Sequence, residues 1–205
     1  MILNNALDLD VYMPNKYVRK IIRNELNIPL ETKVVGHVGR FSFVKNHTLL
    51  LKIFAQYHAS NKQSVLVCVG DGEERGKIEK LASELSIKDN VRFLGVRDDV
   101  ERVMQSFDIF VLPSLFEGLP LVGIEAQAAG LPCLFADTIT DEVCIGARCK
   151  RLPLNNVELW TSELEQLIGI NADYEYNRRR LAEAGYDIQV EAKKLAEYYI
   201  QAFSR

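Results

Sequence analysis

The sequence predicts an α/β fold: a Rossmann-like, doubly wound parallel sheet with helices on both faces. Three observations point that way. Short apolar runs without polar alternation recur as far as residue 136, as expected of strands buried on both faces. Segments with apolar residues at helical spacing lie between them, and Gly, Pro and Asp mark the junctions.

Strands are expected at 33–38, 64–69, 90–94, 109–112 and 132–136, each rich in Val, Ile, Leu or Phe. The first helix, 45–59, carries Leu49, Leu50, Ile53, Phe54 and Tyr57 on one stripe, the i, i+3, i+4 pattern of a core-facing helix. Helices at 74–85, 98–105 and 121–129 follow the same scheme, with Asp98 or Asp99 as the cap of the middle one. The tail differs: 157–170 and 174–184 read as helices with no strand between them. A last amphipathic helix, 188–203, aligns Leu195, Tyr199 and Phe203 at i, i+4 spacing.

A chain of 205 residues holds one good-sized domain. A formal net charge of −3 and a pI near 5.7 argue against a surface for nucleic acid or anionic membrane. No apolar run reaches membrane-spanning length and no cleavable signal is visible at Met1, so a soluble, cytoplasmic domain is expected. Cys68 and Cys133 sit in apolar, strand-like runs as small buried thiols. Cys144 and Cys149 lack partners at zinc spacing, and all four cysteines are expected to be reduced.

Chemistry concentrates in two loops. EGLPLVGIE (117–125) places Glu117 and Glu125 around a Gly/Pro/apolar segment just after the fourth strand. A strand, a short loop and a helix start together present unpaired N–H groups and partial positive charge, which suit phosphate oxygens. Glu125, inside the helix, would repel phosphate but can accept hydrogen bonds from vicinal ribose hydroxyls, and Glu117 on the loop can face a sugar. KVVGHVGRFSFVKNH (33–47) carries Arg40 and Lys45 in the loop after the first strand. If both loops lie at the carboxyl edge of one parallel sheet, they meet in the ligand crevice of open α/β folds, and the two cations converge on a diphosphate.

GRFSFVKN, VGDGEE, VRFLGVRDDV, PSLFEGLPLVGIEAQAAGLP and DTITDEV, in this order and spacing, resemble the donor-binding half of a retaining GT-B glycosyltransferase. The likeness is to family 4 (group 1) enzymes of capsular and exopolysaccharide assembly, and it runs from about residue 4 to residue 149. The resemblance implies that Arg40 and Lys45 hold the donor diphosphate, Glu125 the ribose and Glu117 the transferred sugar. Catalytic contributions would come from Glu117, Arg40 and Lys45. The backbone of Gly118, Leu119, Pro120, Leu121 and Val122 would line sugar and phosphates. Val96 and Arg97 would lie beside the nucleobase, the role of the Arg97 side chain being open.

No metal is expected, and no cofactor: under the resemblance the donor is itself the substrate, a nucleoside diphosphate sugar with UDP as the expected nucleotide. A GT-B enzyme needs two lobes, together roughly 300–400 residues. The chain therefore reads as one lobe, with residues 1–15 left from the interlobe segment, 16–185 as the donor-binding domain and 186–205 as a terminal helix turned toward an absent amino-terminal lobe. A glycan or lipid-linked acceptor would bind that other lobe, and any peripheral membrane association would belong to the full-length enzyme.

Other chemistry fits less well. GDGEE (70–74) reads as a turn with acids at a helix start rather than a metal site. The phosphate-loop motif is absent, and Gly36-His37-Val38-Gly39 lacks the third glycine of a dinucleotide fingerprint. His37 is expected to be a satisfied strand histidine rather than a nucleotide contact, and Tyr198 and Tyr199 to be helix-packing residues. Two functions from different classes remain: sugar transfer by the intact enzyme with retention of configuration, or a nucleotide-binding module without turnover. A GT-B-fold sugar-nucleotide epimerase is the related enzyme alternative.

Overall fold

A computed structural model describes residues 5–170 and 173–203. Its centre is a six-stranded, all-parallel sheet in the order β3-β2-β1-β4-β5-β6. The strands are β1 (Lys33–Val38), β2 (Ser64–Val69), β3 (Val91–Phe93), β4 (Ile109–Leu112), β5 (Cys133–Ala136) and β6 (Cys149–Leu152). Every residue of β2, β4 and β5 is buried, so both faces of the sheet are covered. The helices are α1 (Lys16–Glu25), α2 (His47–Ser60), α3 (Arg75–Glu84), α4 (Val100–Met104), α5 (Leu121–Ala128), α6 (Val157–Leu167), α7 (Tyr174–Glu183) and α8 (Ile188–Phe203). α2 packs against α3 and α6, and α5 packs against α7 and a 3-10 turn, Leu9–Tyr12. This is the expected Rossmann-like α/β architecture. Strand order reverses between β1 and β4, which puts the topological switch point at the carboxyl ends of those two strands.

Two elements have no counterpart in the apolar pattern. The edge strand β6, CKRL, carries Lys150 and Arg151, and charge on an edge strand discourages pairing with other chains while hiding the strand from a hydrophobicity reading. α1 is anchored by charge. Fully buried Arg23 donates to Asp108 (2.8 Å) and to the carbonyls of Pro29, Leu30, Thr32 and Ser106, and Arg19 takes the other Asp108 oxygen at 2.5 Å. Asn15 caps the helix by accepting from the N–H groups of Tyr17 and Val18.

Three expectations need correction. α2 begins at His47, because Asn46 adopts a left-handed conformation (φ 52°) and 43–45 form a 3-10 turn. Asp99 stands at the N-cap of α4 without capping it, since Arg97 engages both of its carboxylate oxygens at 2.7 and 2.9 Å. Cys144 and Cys149 are joined in a disulfide rather than reduced. The loop between them is folded back on itself: Gln127 accepts from the N–H groups of Ile145 and Gly146, Asn177 accepts from that of Ala147, and Arg148 takes φ 60°. Cys68 and Cys133 are free and buried, as expected, and burial pushes both thiols up.

α8 leaves the body of the domain. Of its residues only Glu191 is buried, while Tyr198, Tyr199 and Phe203 are exposed, with Tyr199 stacked on Phe203. The two tyrosines thus pack on neighbours within their own helix rather than on the core. The parts of the 1–15 segment and of the 186–205 helix that fall on residues 1–4 and 204–205 lie outside the described residues. Among the described residues no helix is long and apolar enough to cross a membrane.

Candidate functional site

The loops after β1 and β4 meet at the switch point, where the Leu115 N–H donates to the carbonyl of Val44 at 2.8 Å and ties them together. The β1 loop is backed by the loop after β2. A side chain at Gly70 would meet the Gly39 carbonyl oxygen at 2.1 Å and one at Gly72 the Phe41 carbonyl oxygen at 2.5 Å, so glycine is required at both positions for backbones to approach this closely. Asp71 accepts from the Gly72 N–H and Glu74 precedes α3, which makes GDGEE the expected turn at a helix start.

Lys45 Nζ donates to Glu117 Oε1 at 2.7 Å, with side-chain exposures of 17% and 15%. The Lys45 stem lies over Gly39, where a Cβ would come within 3.1 Å of its Cδ. The same Glu117 oxygen accepts from the Ser114 hydroxyl at 2.5 Å, and Ser114 is fully buried. Thr138 Oγ1 donates to the Ser114 carbonyl at 2.8 Å, and Glu117 bridges in parallel to Ile139. The linkage of Glu117 to Lys45 was not expected: both cations had been placed on one diphosphate. Arg40 instead reaches outward, 73% exposed, and donates from Nε and Nη2 to Glu73 at 3.2 and 3.1 Å. Its exposed partner holds it weakly, so the guanidinium is free to turn.

Gly118 is exposed and a side chain there would meet nothing within 4 Å. Leu119 packs on the core, and Pro120 occupies the N-cap of α5 without a capping side chain. The first N–H groups of α5, at Leu121 and Val122, are therefore open to an anion. Glu125, one turn further on, is half-buried, and burial raises its carboxyl above the usual range. The Tyr12 phenol lies beside it, and burial followed by the Glu125 charge pushes that phenol up. Tyr12 is held in place because Gln105 donates to its carbonyl at 3.1 Å and accepts from the Asn15 N–H at 2.9 Å. Val96 is 79% exposed, whereas the Arg97 guanidinium is consumed by Asp99 and by Glu25 at 2.8 Å. Arg97 therefore braces α1 with its side chain and offers only its backbone to a ligand.

His37 is only half satisfied. Its Nδ1 donates to the Val111 carbonyl at 2.9 Å, while Nε2 has no partner among the described residues. His47 lies edge-on to it at 4.6 Å between ring centres, is stacked on Phe41 at 4.0 Å and, among the described residues, finds no partner for either nitrogen. Burial pushes His37 down to about 4, and His47 lower still. Ser114, Tyr12 and His47 were not singled out from sequence. Ser114 stands three residues before Glu117 in PSLFEG, the one spacing signal that could have drawn attention to it. A cavity of about 620 Å³ opens at the opposite edge of the sheet, beside Lys16, Arg19, Phe107 and Pro132, and none of Ser114, Tyr12 and His47 lines it.

The profile of the family described as glycosyl transferases group 1 matches residues 18–144. This chain belongs to that family. EpsF of Bacillus subtilis, which carries a glycosyltransferase name, is 36% identical over 97% of this chain and 52% of its own length. The Escherichia coli UDP-Gal:alpha-D-GlcNAc-diphosphoundecaprenol alpha-1,3-galactosyltransferase is 33% identical over 66% of this chain and 36% of its own length. The crystal structure of Anabaena HepE in complex with UDP and glucose matches with a TM-score of 0.79 at 22% identity, over 97% of this chain and 56% of that one. That likeness is one of fold, and it agrees with a single lobe of a GT-B glycosyltransferase. This group 1 chain spans about half the length of EpsF and a smaller share of the Escherichia coli enzyme.

Proposed function

We propose that this chain is the nucleotide-sugar donor-binding lobe of a retaining glycosyltransferase that moves a hexose-type sugar, from a UDP donor, to a glycan or lipid-linked acceptor in polysaccharide assembly. The observation that carries the reading is the Lys45–Glu117 pair at the switch point, beside the uncapped start of α5. It brings a cation, an acid and open N–H groups to one crevice. Support comes from relatives: HepE was crystallised with UDP and glucose, and the Escherichia coli relative takes UDP-galactose.

In this reading Lys45 turns from Glu117 to the diphosphate, Arg40 swings from Glu73 to join it, and the start of α5 offers N–H groups to the same charge. As the sugar–phosphate bond lengthens, negative charge grows on the departing diphosphate, and fixed donors stabilise it more than they stabilise the bound donor. Glu125 accepts from the ribose hydroxyls, Glu117 accepts from a sugar hydroxyl, and the 118–122 backbone lines sugar and phosphates. The backbone at Val96 and Arg97 borders the base. Residues 1–15 would lead in from the acceptor-binding lobe, and the exposed aromatic face of α8 would turn back toward it.

Calorimetric titration of the chain with UDP and UDP-sugars tests the reading. Without a second lobe to close the cleft, saturable binding is expected at roughly 0.1–1 mM, about 4–5.5 kcal/mol. Glu125→Ala should weaken UDP and uridine alike, since the ribose is common to both. Absence of saturable binding by every nucleoside diphosphate and sugar nucleotide tried would overturn the proposal.

A further inference from the structure

We propose that Ser114 is a positioning residue that acts through Glu117: its hydroxyl holds one carboxylate oxygen so that the other is presented to the transferred sugar. The inference rests on the sugar-facing role of Glu117 given above and goes beyond it. Ser114 Oγ lies 2.5 Å and Lys45 Nζ 2.7 Å from the same oxygen, Oε1. A carboxylate paired with a lysine can only accept, so the serine must be the donor. Oε2 makes no hydrogen bond among the described residues and is not counted among the buried unpartnered atoms, so it remains open to the crevice.

Ser114 is suited to orienting the acid and to nothing else. It is fully buried, so its hydroxyl reaches no ligand. Its backbone is fixed on three sides: it follows β4, its carbonyl accepts from Thr138 at 2.8 Å, and the next N–H is bonded to Val44. Glu117 itself is joined to Ile139 beyond β5. The serine matters most once the donor has arrived. When Lys45 leaves Glu117 for the diphosphate, Ser114 becomes the remaining donor that keeps Oε1 in place. Without it the carboxylate is free to rotate, and the hydrogen bond from Oε2 to a sugar hydroxyl loses its preorganisation. A group that only supported the fold would affect all ligands equally.

The test compares the affinities of UDP and of UDP-glucose, UDP-galactose and UDP-N-acetylglucosamine for wild type, S114A, S114T, E117A and the S114A/E117A double variant, with thermal melts to confirm folding. For the preferred sugar nucleotide, S114A should lower the ratio of UDP-sugar to UDP affinity by about tenfold, the scale of one hydrogen bond to a charged group. UDP affinity should be unchanged, S114T should restore the ratio if it folds, and S114A should add nothing in the E117A background. Additive effects in the double variant, an unchanged ratio in S114A, or an equal loss of UDP affinity would overturn the positioning role. If E117A leaves the ratio unchanged, or if no UDP-sugar binds, the sugar-facing role of Glu117 fails as well, and that failure is distinct from the failure of Ser114 alone.

Discussion

At the scale of single residues, burial and charge divide the work between groups that titrate and groups that hold. His37 and His47 are neutral imidazoles beneath the Lys45 loop, with His37 pushed from 6.5 to about 4 chiefly by burial. A histidine whose folded pKa is depressed binds fewer protons in the native state than in the unfolded one between those two values. Its contribution is complete above about pH 6.5 and is lost as pH falls toward 4. For His37 alone the loss between pH 7.5 and pH 5 comes to about 2 kcal/mol. His47 acts in the same direction, whereas the raised Glu125 carboxyl acts in the opposite one. Denaturant melts at the two pH values should show that loss, and His37→Gln should flatten it; an equal slope in the variant would contradict the assignment. The places of Arg40, Lys45, Glu117 and Glu125 in or just past the loops that follow strands were legible in the sequence, because loop–helix junctions at strand ends have a recognisable grammar. Their partners were not, since the pairings of Lys45 with Glu117 and of Arg40 with Glu73 depend on long-range folding that spacing along the chain does not encode.

At the scale of elements, apolar strands and helices were readable from periodicity, and the charged ones were not. All five apolar strands appear within a residue or two of their expected bounds, whereas β6 and α1 are stabilised by charged side chains that look like surface. α1 shows how such a helix is secured. Its Arg23 is fully buried, and Asp108 takes Arg19, Arg23 and the Val34 N–H together, so one carboxylate links the helix to the starts of β1 and β4. Removing one member of such a cluster leaves an uncompensated buried charge. Asp108→Ala should cost about 3–5 kcal/mol in denaturant unfolding. A loss no larger than that of an exposed pair, below about 1 kcal/mol, would show that the cluster is solvated and that α1 is held some other way. The disulfide escaped sequence reading for a related reason: Cys144 and Cys149 become neighbours only because Gln127 and Asn177 fold the loop between them.

At the scale of the whole molecule, the fold brings the loops after β1 and β4 together at one edge of the sheet, the edge at which we propose the sugar donor binds. The chain matches about half the length of EpsF, and in the proposed reading a second lobe would complete the cleft. Holding donor and acceptor together accounts for a large part of such a barrier, so the chain alone should form no glycosidic product beyond slow donor hydrolysis. Chromatography of sugar products would register this, and robust transfer by residues 1–205 would refute it. The most direct test of the central claim, that the crevice between β1 and β4 is built for a diphosphate, is calorimetric titration of UDP and uridine into wild type, Arg40→Ala and Lys45→Ala. Each substitution should weaken UDP by about 1.5–3 kcal/mol, the worth of a hydrogen bond to a charged group, and leave uridine unchanged. Uridine weakened as much as UDP, or UDP unaffected by both substitutions, would contradict the account.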